Sequence, residues 1–356
     1  MLTAIALGTI LSPPPSAAGQ FGDFRHDYLR PDQRDGRLEY HGSLALDYQA
    51  AEEEKADSRE WKHRFGDRSR ATLWVAGAPF APSKALVYFA EGSFDGGEEK
   101  LDAGQIRGDF VPGSSLGFRA GRFWFPSGIE MRSAPDRANR FLSRPPAWSR
   151  LGNGAAVLGD LFDERFQYFF AFQDDFAGAI ADSLDGIVDS LRGEASEPAF
   201  GGRVGFSPRA GLEVGGSIAW EERDGGRGSA RILGADFSID DGPLHVQAEA
   251  TRLVRDRFSP LDEPLAPDVT ATIFYGRIAY RIIEDTARFD HVEAMFGASV
   301  TDPDADQSDD RTTTFSGALA VAPWYGVSVR VEYQAVREQT NEVGNDRLLA
   351  GLLLFW

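Results

Sequence analysis

Val327-Ser328-Val329-Arg330-Val331-Glu332-Tyr333-Gln334-Ala335 sets apolar side chains at every second position, with polar ones between them. A period of two sorts residues onto the two faces of a β-strand, whereas a helix would scatter them around its circumference. The pattern recurs upstream. Leu244, Val246, Ala248 and Ala250 alternate with His245, Gln247, Glu249 and Thr251, and Leu212, Val214, Gly216, Ile218 and Trp220 share one face, as do Phe166, Tyr168, Phe170 and Phe172. Segments of this kind fall at 37–48, 68–75, 84–94, 100–110, 115–124, 154–161, 165–174, 199–207, 211–222, 230–239, 244–255, 270–284, 288–301, 311–321, 326–337 and 346–356. The sequence therefore predicts an all-β chain of about sixteen strands.

The connections alternate in length. Val111-Pro112-Gly113-Ser114, Phe162-Asp163-Glu164, Ser207-Pro208-Arg209-Ala210, Asp240-Asp241-Gly242, Asp285-Thr286 and Ala322-Pro323-Trp324-Tyr325 read as tight turns. Between them lie longer polar stretches at 50–60, 125–153, 176–198, 256–268 and 302–310. Short turns on one rim and long loops on the other are the asymmetry of a transmembrane antiparallel β-barrel. In the 176–198 stretch, Phe176, Ile180, Leu184, Ile187 and Leu191 recur at helical spacing and predict a surface helix capping the barrel mouth.

Composition agrees. The chain has 356 residues, 37 Lys+Arg against 55 Asp+Glu, a net charge of −18 and no cysteine. This excludes a disulfide scaffold, a thiol enzyme, a Cys-ligated metal site and a basic nucleic-acid-binding domain. A mean hydropathy of −0.31 is compatible with a membrane barrel, whose lipid face takes only every second residue. At the start, an apolar run Leu2–Leu11 precedes Ser16-Ala17-Ala18, a small-x-small cleavage pattern without the usual basic lead. Residues 1–18 are read as a signal peptide with an atypical n-region, 19–36 as an N-terminal periplasmic segment and 37–356 as the barrel.

The chain ends Leu352-Leu353-Leu354-Phe355-Trp356. An alternating last strand closed by an aromatic resembles the C-terminal signal read by the barrel assembly machinery, which implies the outer membrane of a Gram-negative bacterium and contact with its lipid and lipopolysaccharide. A second resemblance is narrower. Gly121-Arg122-Phe123-Trp124-Phe125-Pro126-Ser127-Gly128-Ile129-Glu130, continuing through Ser133, Asp136, Phe141 and Arg144, resembles the strand-to-loop segment of the phosphate-selective porin family, the O and P porins. It implies a porin whose loop after the fifth strand, residues 125–152, folds inward to narrow the pore, in a homotrimer passing small anionic or neutral solutes. The chain departs from that family at Trp124, where a basic residue is common, and in having only four lysines, Lys55, Lys62, Lys84 and Lys100. Both departures weigh against specific phosphate capture.

The loop carries Arg132, Arg137, Arg140 and Arg144 against Glu130 and Asp136, a local excess of arginine in an acidic chain. At a constriction, guanidinium groups hold a positive field at any physiological pH, which favours anions. With the apolar alternates facing lipid, the opposite face presents Arg70, Arg119, Arg203, Arg277, Arg281 and Arg330, mixed with Glu213, Asp236, Glu249, Glu293 and Glu332. Such a wall predicts a weakly selective transverse field. Asp302, Asp304, Asp306, Asp309 and Asp310 are dense in carboxylate but lack the glycine and terminal glutamate of a calcium loop, and read as a solvated loop. The five histidines show no metal spacing and no serine sits in a nucleophile elbow, so neither cofactor nor catalysis is expected. Two rivals stand beside the porin: a lipase-like outer-membrane barrel enzyme and a secreted carbohydrate-binding β protein.

Overall fold

A computed structural model gives the architecture. It describes Glu39 to Phe355 apart from connecting residues 56–57, 66–68, 78–85, 96–97, 110–115, 126–127, 129–141, 143–150, 163–164, 175–197, 224–227, 256–268, 285–289, 304, 306–310, 325 and 340–344. Residues 1–38 and Trp356 also lie outside the described residues. The leader, the N-terminal segment and the 176–191 helix predicted above therefore fall outside them as well.

Seventeen antiparallel segments make one sheet. They are β1 (Glu39–Lys55), β2 (Ser58–Phe65), β3 (Arg70–Gly77), β4 (Leu86–Asp95), β5 (Glu98–Asp109), β6 (Leu116–Trp124), β7 (Leu151–Leu161), β8 (Phe166–Gln173) and β9 (Ala199–Arg209). They continue with β10 (Leu212–Arg223), β11 (Gly228–Asp241), β12 (Leu244–Arg255), β13 (Val269–Glu284), β14 (His291–Asp302), β15 (Thr312–Trp324), β16 (Val327–Glu338) and β17 (Arg347–Phe355).

From β3 onward each segment pairs with the next, and β17 returns to β1 in a ladder from Ser43–Phe355 to Ala51–Arg347. The other edge of β1 carries β3 along its first half and β2 along its second. β2 and β3 occupy one position, so the seventeen segments make sixteen staves. With no water available in hydrocarbon, a ladder that returns to its start satisfies the backbone groups that an open edge would leave bare.

The predicted count of sixteen holds, with corrections at several ends. The 50–60 stretch read as a loop is strand: β1 runs to Lys55 and β2 starts at Ser58, so the first hairpin extends beyond its neighbours. Eight consecutive pairs, from Tyr48–Phe65 to Lys55–Ser58, are held by ladder bonds that hydropathy does not register. Between β2 and β3, four residues oppose two: Ala45 pairs with Arg70 and Tyr48 with Phe65. Ser69 stitches this bulge, its hydroxyl donating to Asp47 Oδ1 at 2.9 Å and accepting from the Asp47 N–H at 3.1 Å. The turn read at Asp285-Thr286 is a six-residue connection, because Glu284 pairs with His291. β7 begins at Leu151, which shortens the loop after the fifth stave to 125–150.

The burial pattern is inside-out. Val157, Phe170, Ile218, Leu233, Phe274 and Phe296 are exposed on the outer face, while Arg203, Glu213, Asp236, Glu249, Glu293 and Glu332 are buried on the inner one. A water-soluble sandwich would reverse this. Apolar burial is concentrated on the inner wall from β6 to β13, where Phe123, Phe125, Leu158 and Phe169 pack with Ala199, Ala219, Ala230, Ile232, Leu253, Ala271 and Ile273.

Candidate functional site

The interior is built by strand parity. Arg203 on β9 is fully buried, and its Nε donates to Asp236 Oδ2 on β11 at 2.8 Å while Nη2 lies 2.7 Å from Glu213 Oε1 on β10 and also bonds Asp236 Oδ1. The guanidinium reaches Asp236 across Gly215, where any β-carbon would collide with it. One arginine thus binds three adjacent staves, with both carboxylates answering its charge.

A second cluster lies on β12 and β13. Tyr275 donates to Glu249 Oε2 at 3.1 Å, Thr251 donates to Glu249 Oε1 at 3.0 Å, and Gln247 donates to the Tyr275 hydroxyl at 3.3 Å. Arg277 lies 5.9 Å from the Tyr275 ring centre. On β6, Arg119 is buried against the rings of Phe169, at 4.9 Å, and Phe123, at 5.8 Å, a cation–π arrangement that keeps the charge among apolar walls. Gln173 donates to the Phe123 carbonyl at 2.6 Å and fixes the point where β6 gives way to the loop.

The loop enters the interior. Phe125 is fully buried, and the Gly128 N–H donates to Ser217 Oγ on β10 at 3.3 Å, with the glycine resting on the Glu249 carboxylate. Gly128 has φ +69°, and both that backbone and the contact with Glu249 require glycine. Further along, the Leu142 N–H donates to Glu332 Oε2 on β16 at 2.8 Å, and its side chain lies where a β-carbon on Gly351 of β17 would stand. The loop leaves β6, touches β10 and β12, and then touches β16 and β17, with β13–β15 between the two contacts. It is therefore an inward loop after the fifth stave.

The predicted site residues divide into three groups. Arg132, Arg137, Arg140, Arg144, Glu130 and Asp136 lie outside the described residues. On the wall, Arg70 donates to Ser93 Oγ at 3.0 Å, Arg281 Nη1 lies 2.5 Å from Glu284 Oε1, and Arg330 Nε donates to Ser328 Oγ at 3.2 Å. With Arg119, Arg203 and Arg277 described above, these lie on five staves around the ring, Arg277 and Arg281 sharing β13. Phe355 is the last paired residue of β17, opposite Ser43.

That Glu332, Ser217 and Glu249 receive the loop was not read from the sequence. One signal was available: Gly351 interrupts a leucine-rich last strand, and an isolated strand glycine marks close approach. His63, His245 and His291 do not converge: His63 bonds Tyr48, His245 pairs with Asp240 and His291 with Asp290, on β2, β12 and β14. Asp302 ends β14 and lies 3.2 Å from Arg311; the other loop aspartates lie outside the described residues, among which no cluster suited to a metal occurs.

The closed ring, polar interior and inward loop can be set against known proteins. The fold is shared with outer-membrane channels. A loop-L8 deletion mutant of OmpT, an outer membrane protein of Vibrio cholerae, aligns with TM-score 0.61 at 12% identity over 90% of this chain and 100% of its own. The outer membrane channel DcaP of Acinetobacter baumannii gives 0.61 at 12% identity over 90% and 97%. A mutant of the Rh. blastica porin gives 0.51 at 13% identity over 90% and 100%. No family model and no curated protein matches the chain. The likeness to outer-membrane barrels is one of architecture, extending over nearly the whole chain.

Proposed function

We propose that this protein is a passive diffusion channel of the Gram-negative outer membrane for small hydrophilic solutes, with residues 125–150 as its constriction. The observation that carries the reading is the loop's course: Gly128 is seated on the wall at Ser217 and Glu249, and Leu142 at Glu332 and Gly351. A loop held at two separate arcs of a polar-lined barrel divides the bore, and the narrowest ring of a pore sets which solutes pass. Selection is then by size and field, without energy input.

The finer reading is a modest anion preference. Arg132, Arg137, Arg140 and Arg144 on the loop outnumber Glu130 and Asp136. The wall contributes little net bias, because Arg203 is already answered by Glu213 and Asp236, and Arg281 by Glu284. The resemblance to the O and P porins supports organic acids or phosphate among the solutes, and a homotrimer as the working unit. It also supports Phe355 and Trp356 as the signal for the barrel assembly machinery.

The test is the reversal potential of refolded protein in a planar bilayer under a KCl gradient, before and after R132A/R137A/R140A/R144A. Discrete channels whose anion preference falls in the variant support both the channel and its arginine constriction. Channels with unchanged selectivity remove the arginine role, and well-folded protein without conductance removes the channel.

A further inference from the structure

The outer face of the barrel carries two arginines where lipid should be. Arg231 on β11 and Arg252 on β12 have the parity of Leu233, Phe237, Val246 and Ala250, and both side chains are exposed. Arg231 pairs with Val254, and Leu233 with Arg252, so the two are diagonal neighbours on adjacent strands. Their Cα atoms are then roughly 7–8 Å apart. Neither makes an ion pair or hydrogen bond among the described residues.

Their height on the barrel is set by register. Following the cross-strand pairs, Phe172 lies opposite Phe200, Phe200 opposite Trp220, and Trp220 opposite Arg231. The Phe200 and Trp220 rings are 4.6 Å apart. A row of outward aromatics near the ends of barrel strands is the girdle that sits at the membrane interface. These ends lead into the connections 175–197, 224–227 and 256–268, the long-loop rim, which faces the cell exterior. Arg231 therefore continues the girdle row into the polar headgroup layer of the outer leaflet. Arg252 sits one step toward the midplane, close enough for its flexible stem to carry the guanidinium up to the same layer.

An arginine facing lipid is costly unless a partner meets its charge, and the membrane can supply one. At this depth the available anion is a lipid phosphate. Two planar guanidinium groups within one headgroup's width can grip it bidentately from two sides, beside aromatic rings that pack the acyl chains.

We propose that Arg231 and Arg252 form a docking site for the phosphorylated headgroup of an outer-leaflet glycolipid, on the outer wall between β11 and β12. The site lies on the face opposite the solute path, so it stands or falls independently of the channel reading. It would anchor one lipid at a fixed place on the barrel and set the height at which this arc sits in the membrane.

Native mass spectrometry of the full chain in detergent, with bisphosphorylated lipid A as the probe, tests the site. Retention of the lipid should fall at least about tenfold in R231Q/R252Q and by less in R231K/R252K, which preserves charge but not the fork. Heat-modifiable electrophoretic mobility and unchanged single-channel conductance verify that each variant is folded. Dephosphorylated lipid A should be retained poorly by the unaltered protein, and millimolar inorganic phosphate should not displace the lipid. Equal retention by the unaltered protein and R231Q/R252Q would overturn the site, as would displacement by free phosphate, which would identify a soluble-anion site instead.

Discussion

Arg203 and Arg252 stand on opposite faces of the same arc, and nearly everything about them differs. Arg203 is sealed on the inner wall with Glu213 and Asp236, and a glycine on the neighbouring stave makes room for it. Arg252 is exposed on the outer wall and has no such partner among the described residues. An arginine inside the barrel can be answered by strands across the sheet, because inward side chains of adjacent staves lean over one another. An arginine outside can be answered only by what surrounds the barrel. The same residue is structural on one face and available for binding on the other, and a single step of parity decides which.

The sharpest way to break that contrast is to remove the two charges in turn. R203A should destabilise the barrel by about 3–5 kcal/mol, since it strands two buried carboxylates, whereas R252A should cost no more than about 0.5 kcal/mol. Urea unfolding in detergent micelles or lipid vesicles measures both, and equal losses would erase the distinction. Next in size is G215V. Its side chain occupies the guanidinium's path, and a loss of about 1–3 kcal/mol is expected, with R203A/G215V less destabilised than the sum of the single changes.

The loop contacts should respond in function more than in global stability. E332A removes the acceptor of the Leu142 N–H and should loosen the loop by roughly 1–3 kcal/mol, raising open-channel current noise. E332Q keeps an acceptor oxygen and should stay close to the unaltered channel. Noise that rises equally in both variants would mean that the charge, and not this hydrogen bond, holds the loop.

The smallest effect is expected at the loop end of β17. Burial raises the pKa of Asp346, but hydrogen bonds from the Tyr333 hydroxyl at 2.5 Å and the Val336 N–H at 3.0 Å, with Arg337 at 3.1 Å, outweigh it and hold the carboxyl below its ordinary value. A depressed folded-state pKa gives stability that is present above the unfolded value near 3.8 and lost as pH falls through the folded one. Because Arg337 is half exposed, the gain is at most about 1 kcal/mol. D346N should lower stability at pH 7 by at most about 1 kcal/mol and flatten this acid limb of the profile, so that the two proteins converge as pH falls below 4.

The strands were legible where each residue's preference matched its face. Val327 to Ala335 announces its parity because lipid selects one face and the interior the other, and the same logic identified Arg203, Glu213 and Asp236 as sharing the inner wall. Where both faces are apolar, as at Ile232-Leu233, Leu253-Val254 and Ile273-Phe274, alternation gives no warning that Ile232, Leu253 and Ile273 belong to an interior cluster. Where both faces are polar, as at Glu52-Glu53-Glu54-Lys55, the signal vanishes and a paired hairpin reads as a loop. Arg231 and Arg252 passed unnoticed among the apolar residues of their face, since a single charge does not disturb a period of two.

The sequence by itself determined the period, the number of staves, the alternation of short and long connections and hence the barrel, because these depend on residues next to one another in the chain. Only the tertiary structure decided which wall residues receive the inward loop and which carboxylates answer Arg203. Gly128 and Ser217 are 89 positions apart and Leu142 and Glu332 are 190 apart, and contacts at such separation follow from the ring's closure and stagger, which no local pattern records.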